Sequence, residues 1–144
     1  MRGVVGALPA RRPGHVAILD MEASVEHLSR GTVASVDALL VATEPYYRSL
    51  ETTARLVPLA LELGLARVWV VANKVRSARD EALLRDYCAS RGFEVVGVVP
   101  FDEAVTAADG LGRALVDHAP EAAAVAVLDR LADTLAERLA PPRG

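Results

Sequence analysis

Four apolar runs punctuate the chain: His15 to Leu19, Ala38 to Thr43, Val68 to Ala72 and Val95 to Val99. Each is continuously apolar rather than alternating, the pattern of strands covered on both faces in a parallel sheet. Helical patterning follows the later runs. Ser49 is placed to cap a helix that reaches about Leu63 and closes on Gly64. Ser77, with Asp80 three residues on, opens another that ends near Arg91 and closes on Gly92. Pro58 falls inside the first of these helices, where its ring removes a backbone hydrogen bond, so a kink is expected there. A last helix, about Ala122 to Leu139, aligns Val125, Leu128, Leu131, Ala132, Leu135 and Leu139 on one stripe. Strand-then-helix units repeated in this way predict an α/β fold, a three-layer sandwich with a mostly parallel sheet.

At 144 residues the chain is long enough for one core and short for two. Residues 1 to 15 combine three glycines, two prolines and an arginine pair, and read as an irregular lead-in in which Gly3 to Leu8 can form a short edge strand. The folded domain is expected over residues 16 to 140. A formal charge of -3 provides no broad positive field, which argues against nucleic acid as a partner. Cys88 stands alone, so there is no internal disulfide, and its place on the apolar side of a helix predicts a buried structural thiol. No apolar run approaches the ~20 residues that span a bilayer. The chain after Ala122 balances acidic and basic residues and shows no basic amphipathic face, so no membrane partner is expected and the cytoplasm is the predicted compartment.

Polar chemistry collects at the strand ends. The residues just past the four apolar runs are Asp20, Glu44-Pro45, Asn73-Lys74 and Pro100-Phe101-Asp102. In an open parallel sheet, ligands bind outside the carboxyl ends of the strands, where loops and helix N-termini converge. Asp20 has the residue type and position to hold a water on Mg²⁺, and equally those of a turn aspartate. Glu22, Glu26 and His27 follow closely, but without metal-ligand spacing, so a zinc or nickel site is not expected. Asn73 presents an amide with both donor and acceptor, which suits a purine edge. Lys74 is the one lysine among 16 basic residues. Arg76 stands where the guanine-selecting version of this motif carries Asp, so guanine specificity is not indicated. No Gly-Lys-Ser/Thr sequence occurs, and with it the usual phosphate cradle is absent from the sequence.

Taken together, LDMEASVEHLSRGT, VDALLVATEP, SLETTARL, VVANKV and VVPFDEAV resemble the CooC family, ATPases of nickel insertion into carbon monoxide dehydrogenase within the MinD/ParA group of P-loop proteins. The likeness covers about residues 15 to 135. It implies a partial P-loop NTPase-like fold that binds ATP or ADP with Mg²⁺. In that fold Asp20 acts through a magnesium-bound water, with Glu22, Ala23 and Ser24 sensing the γ-phosphate. Asn73, Lys74, Pro100, Phe101 and Asp102 surround the adenine. It further implies nucleotide-driven homodimers and a metalloenzyme client. Three departures stand out: the P-loop lysines are missing, so is the family's Cys-x-Cys metal motif, and Ser24 replaces a glycine.

The expected function is therefore that of the C-terminal part of a CooC-like ATP-binding protein, inactive as an ATPase alone and completed by an N-terminal P-loop half. In the family a P-loop strand separates the Asp20 strand from the Ala38 strand. Its absence predicts a marginally stable or self-associating chain. The alternative is a non-catalytic α/β interaction module or pseudo-ATPase regulator.

Overall fold

The computed structural model describes residues 16–21, 28 and 36–140. Among them run β1 (Leu39–Thr43), α1 (Tyr47–Glu62), β2 (Val68–Val75), α2 (Ala78–Ala89), β3 (Val95–Pro100), α3 (Glu103–Gly110), α4 (Leu115–His118) and α5 (Ala123–Leu139). The strands are parallel and ordered β1-β2-β3, with Leu39 opposite Val68 and Val70 opposite Val95. The α/β reading with a parallel sheet holds.

Two apolar clusters lie on opposite faces of the sheet. On one, Val41, Val70, Ala72 and Val75 pack with Leu50, Leu56 and Val57 of α1 and with Leu84 and Cys88 of α2. On the other, Val71 and Val99 pack with Ala124 and Leu131 of α5. Continuous apolar strands are the consequence of this double cover. Cys88 is fully buried, as expected, and burial pushes its thiol pKa up.

Two irregularities tune the sheet. Val70 pairs with Val95 but Val71 pairs with Gly97, so Val96 is an extra residue that leaves Val96 and Gly97 both near α5. The second lies between Ala72 and Val75, where Asn73 and Lys74 form the excess. It returns Val75 to the α1/α2 face and leaves Lys74 at φ 55.

The helix boundaries follow local chemistry. Ser77 Oγ accepts from Asp80 N at 3.1 Å, the expected cap of α2. Helices α1 and α2 both close through left-handed glycines, Gly64 at φ 98 and Gly92 at φ 70, with Leu65 N donating to Ala60 O and Phe93 N to Cys88 O. Ser49 does not cap α1, which starts two residues earlier at Tyr47. Its hydroxyl instead accepts Glu44 N at 2.9 Å and lies 3.2 Å from Thr43 Oγ1, fastening the end of β1 to the helix. Pro58 sits within α1 without ending it.

Two expectations need correction. Residues 16–20 are in no strand, and Val16 and Ile18 are 82% and 93% exposed. Among the described residues no strand borders β1 on its outer edge, and in the resembled fold another strand separates this segment from β1. With no ladder to join, an isolated apolar run cannot satisfy its backbone groups as a strand. The α5 stripe holds in part: Val125 and Leu131 are buried and Leu135 packs on the sheet, but Ala124 and Val127 join them while Leu128 and Ala132 are exposed. Gly97 admits Leu131, whose Cδ1 would stand 3.2 Å from a Cβ at that position. Helices α3 and α4 lack a long apolar period and were not foreseen. The expected lead-in over residues 1–15, with its edge strand, lies outside the described residues.

Candidate functional site

The carboxyl ends of the three strands lie side by side, and side chains from all three loops meet there. Lys74 Nζ of β2 pairs with Glu44 Oε1, just past β1, at 2.9 Å. That hydrogen bond, and then the charge of the same carboxylate, raise the lysine pKa. The pair is solvent-accessible, so it positions the strand tips more than it stabilises the fold.

Asn73 Oδ1 accepts from Lys74 N at 3.0 Å. Its Nδ2 group is thereby the face left to donate outward. Lys74 holds the left-handed backbone that a side chain with a Cβ disfavours, and this strain falls at the strand end beside Asn73.

One residue further, Arg76 lays its guanidinium 3.4 Å from the centre of the Phe101 ring. Phe101 N donates to Val75 O at 2.9 Å, and Arg76 N donates to Asp80 Oδ2 at 3.2 Å. The β2 and β3 exits are thus fixed to each other through backbone and side chain. Pro100 ends β3 opposite Val75 in the register.

Asp102 is committed to the backbone. Oδ1 accepts Ala104 N at 2.9 Å in the first turn of α3, and Oδ2 accepts Ala124 N at 3.1 Å in the first turn of α5. These bonds, the one to Ala104 foremost, hold its carboxyl below the ordinary range. One aspartate caps two helices, so whatever it contributes to a ligand site it contributes by placing the Pro100 to Asp102 loop.

Of the sequence-predicted site residues, Asn73, Lys74, Pro100, Phe101 and Asp102 are brought to one end of the sheet. Asp20 lies in exposed chain outside any strand. Glu22, Ala23 and Ser24 lie outside the described residues. Among the described residues no group of three or more His, Cys, Asp or Glu is arranged to hold a metal ion. The Lys74–Glu44 pair and the Arg76–Phe101 stack carry no motif in the sequence. Their only signal was placement, a charged residue after each of two strands and an aromatic after the third.

Among the described residues, these groups have the chemistry to meet a purine base rather than a triphosphate. An outward amide, a planar guanidinium and an aromatic ring suit a purine base. A triphosphate needs converging cations and free backbone N–H groups, and here the lone lysine is already paired with a carboxylate.

No family profile matches the chain. The carbon monoxide dehydrogenase accessory protein CooC of Rhodospirillum rubrum is 38% identical over 127 residues, 88% of this chain and 47% of that protein. An uncharacterized ATP-binding protein of Methanocaldococcus jannaschii is 44% identical over 99 residues, 68% of this chain and 38% of its own length. The chain is a CooC homologue. Its fold is that of MinD: the MinD cell division protein of Aquifex aeolicus superposes with a TM-score of 0.65 at 15% identity, over 80% of this chain and 50% of that one. The CooC homologue spans less than half the length of the two curated relatives it matches. Among its described residues no helix is long and apolar enough to cross a membrane.

Proposed function

We propose that this chain is the base-binding, C-terminal portion of a CooC-like nucleotide-binding protein that serves nickel insertion and metalloenzyme maturation. The observation that carries the reading is the assembly of Asn73, Arg76 and Phe101 at the sheet's ligand end within a chain 38% identical to CooC. ATP or ADP is the ligand, with the base against Asn73 and the Pro100 to Asp102 loop. Asp20, with Glu22, Ala23 and Ser24, faces the γ-phosphate and a magnesium-bound water in the completed site.

No hydrolysis is assigned to the chain alone. Phosphoryl transfer depends on cations that neutralise the developing charge, and the sequence carries no Gly-Lys-Ser/Thr segment to supply one. The chain's own residues bind and orient the base; the phosphate cradle comes from a P-loop-bearing partner segment. Two features favour that partner. The outer edge of β1 is unpaired among the described residues, with Leu40 42% exposed, and a cleft of about 200 Å³ opens beside it between Val41, Ala42, Tyr46, Arg48, Thr52 and Leu56. A parallel strand added there would pair the open backbone and cover Leu40. In the completed assembly the functional unit is a homodimer with a metalloenzyme client, in the cytoplasm.

The test is complementation. Purified chain should show no Mg²⁺-dependent ATP turnover, and turnover should appear on mixing with the P-loop-bearing N-terminal half of a CooC protein, then vanish with Asp20→Ala. Turnover by the chain alone, or a mixture that neither associates nor hydrolyses ATP, would defeat the proposal.

A further inference from the structure

The side edge of the sheet, away from the strand ends, holds an open groove. β3 is paired with β2 on one side only, so its outer backbone groups have no ladder partner among the described residues. A cleft of about 210 Å³ runs along this edge, lined by Val96, Gly97 and Val98 of β3, by Arg85 of α2 and by Arg130 and Leu131 of α5. Helices α2 and α5 pack on opposite faces of the sheet, so one cleft touches both only by passing around the open edge. It therefore has the cross-section of a missing strand, with backbone along one wall and a helical layer above and below.

Both layers offer a guanidinium to the groove. Arg85 bonds Glu81 at 2.8 Å through Nε, which leaves its two terminal amino groups to donate. Arg130 has no carboxylate partner among the described residues. Glu94, at the start of β3, is already held by Arg138 at 2.6 Å, and no acidic residue among those described lines the cleft. This charge selects among the chains able to pair there. A second copy adding its own β3 edge would set Arg85 and Arg130 against the same two arginines. The lead-in of this chain carries Arg2, Arg11 and Arg12 and no acidic residue. An extended segment alternates its side chains between the two faces, so two successive carboxylates reach the α2 layer and the α5 layer and meet Arg85 and Arg130 together. Flanking β-branched residues would cover Val96, Val98 and Leu131.

We propose that the outer edge of β3 is a docking site for an extended acidic segment of a partner protein, added as a further strand with two adjacent carboxylates bound by Arg85 and Arg130. The edge is separate from the strand ends, and its occupation does not depend on a bound nucleotide. Arginines beside an edge also act as guards that keep other chains off it, and in that role alone no segment would bind.

The experiment is titration of the isotopically labelled full chain with the capped peptide Thr-Val-Thr-Asp-Glu-Val-Thr-Val, read by backbone amide shifts and amide hydrogen exchange. Shifts and slowed exchange are expected at Val96, Gly97 and Val98. The Asn-Gln version should bind roughly tenfold more weakly, the combined size of two solvent-accessible ion pairs. A version with proline at the third and seventh positions keeps the charges, loses strand pairing and should not bind. Arg85→Glu with Arg130→Glu should turn the preference toward a Lys-Lys version, and both side chains are exposed, so the unfolding midpoint should stay near that of wild type. Arg130→Gln alone, the milder change, should weaken the acidic peptide by about threefold. The absence of shifts along β3 at millimolar peptide would leave the arginines as guards, and equal binding of the proline version would reduce the contact to charge. Shifts at Leu39 to Thr43 would place the added strand on the other edge, and concentration-dependent β3 shifts without peptide would make a second copy the occupant. Each of these four results overturns the proposal.

Discussion

Replacing Ser49 with Ala tests how the end of β1 is held to α1. In an ordinary helix the change is stabilising, because Ala gains about 0.5 kcal/mol over Ser in helix preference. Here it removes the acceptor for Glu44 N, 2.9 Å away, and the hydroxyl partner of Thr43, which is fully buried. A buried polar group left unpaired costs about 1–3 kcal/mol, and the partial burial of this pair points to the lower end, so the two losses sum to about 2 kcal/mol. Subtracting the helix gain leaves a net destabilisation of about 1.5 kcal/mol. With a urea slope of about 1–3 kcal/mol/M, the midpoint falls by roughly 0.5–1.5 M. Thr43→Val deletes the other hydroxyl while Ser49 still serves Glu44 N, for a loss of about 1 kcal/mol. In the double variant the Thr43 hydroxyl is no longer orphaned, so the two effects should fall short of additivity by about 1 kcal/mol. Urea unfolding of the four proteins measures this directly. A midpoint that rises in Ser49→Ala, or a cycle additive within about 0.3 kcal/mol, would refute the bond network.

Asp102 should make the fold acid-sensitive. Its folded pKa lies below the ordinary value of 3.8, so its capping contribution is complete above that value and is lost as pH falls through the folded pKa. Urea midpoints of wild type should drop over that acid window, and Asp102→Asn should flatten the drop. Gly97→Val should destabilise the protein, since even a Cβ there would stand 3.2 Å from Leu131 Cδ1, and Leu131→Ala should relieve part of that penalty in the pair. Cys88, fully buried with a raised pKa, should resist a thiol reagent in native buffer and react fully in denaturant; rapid native labelling would contradict its packing. Arg138 bonds Glu94 at 2.6 Å and stands 5.4 Å from the centre of the Trp69 ring, so Arg138→Ala should change the emission of this single tryptophan without unfolding the protein.

Most of the sheet and three helices were legible because burial on both faces leaves a continuous apolar signature that needs no tertiary knowledge. Val68 to Ala72 reads as a strand for that reason. Its last three residues, Asn73 to Val75, escaped because the bulge at Asn73 and Lys74 interrupts the apolar run exactly where the ladder continues to Pro100. The failure at residues 16–19 has the opposite origin. Composition reports that a segment can be buried, whereas strand formation also requires its own neighbouring strand, which in the resembled fold is not β1. Helix α3 was hidden because its first turn is organised by Asp102 and only Ala108 is buried. The site was legible by position, from the rule that ligands gather at strand ends. Which side chains meet there was not, since the Lys74–Glu44 and Arg76–Phe101 partners are 30 and 25 residues apart and only the register brings them together.

The strain at Lys74 connects these two levels. A glycine or asparagine would occupy its left-handed backbone at lower cost, so the lysine is retained against local preference. Two things are gained by that conformation. The extra residue lets β2 turn Asn73 to the strand tip while Val75 returns to the core between α1 and α2, and it sends the lysine side chain across to Glu44 at the end of β1. A regular strand would place Lys74 on the α1/α2 face, where its charge would be buried among Val70, Ala72 and Leu84. The bulge therefore resolves a conflict between an apolar core and a polar tip within four residues. Local irregularity at this point, rather than anywhere else in the sheet, is what the base-binding reading requires of a strand that must serve both.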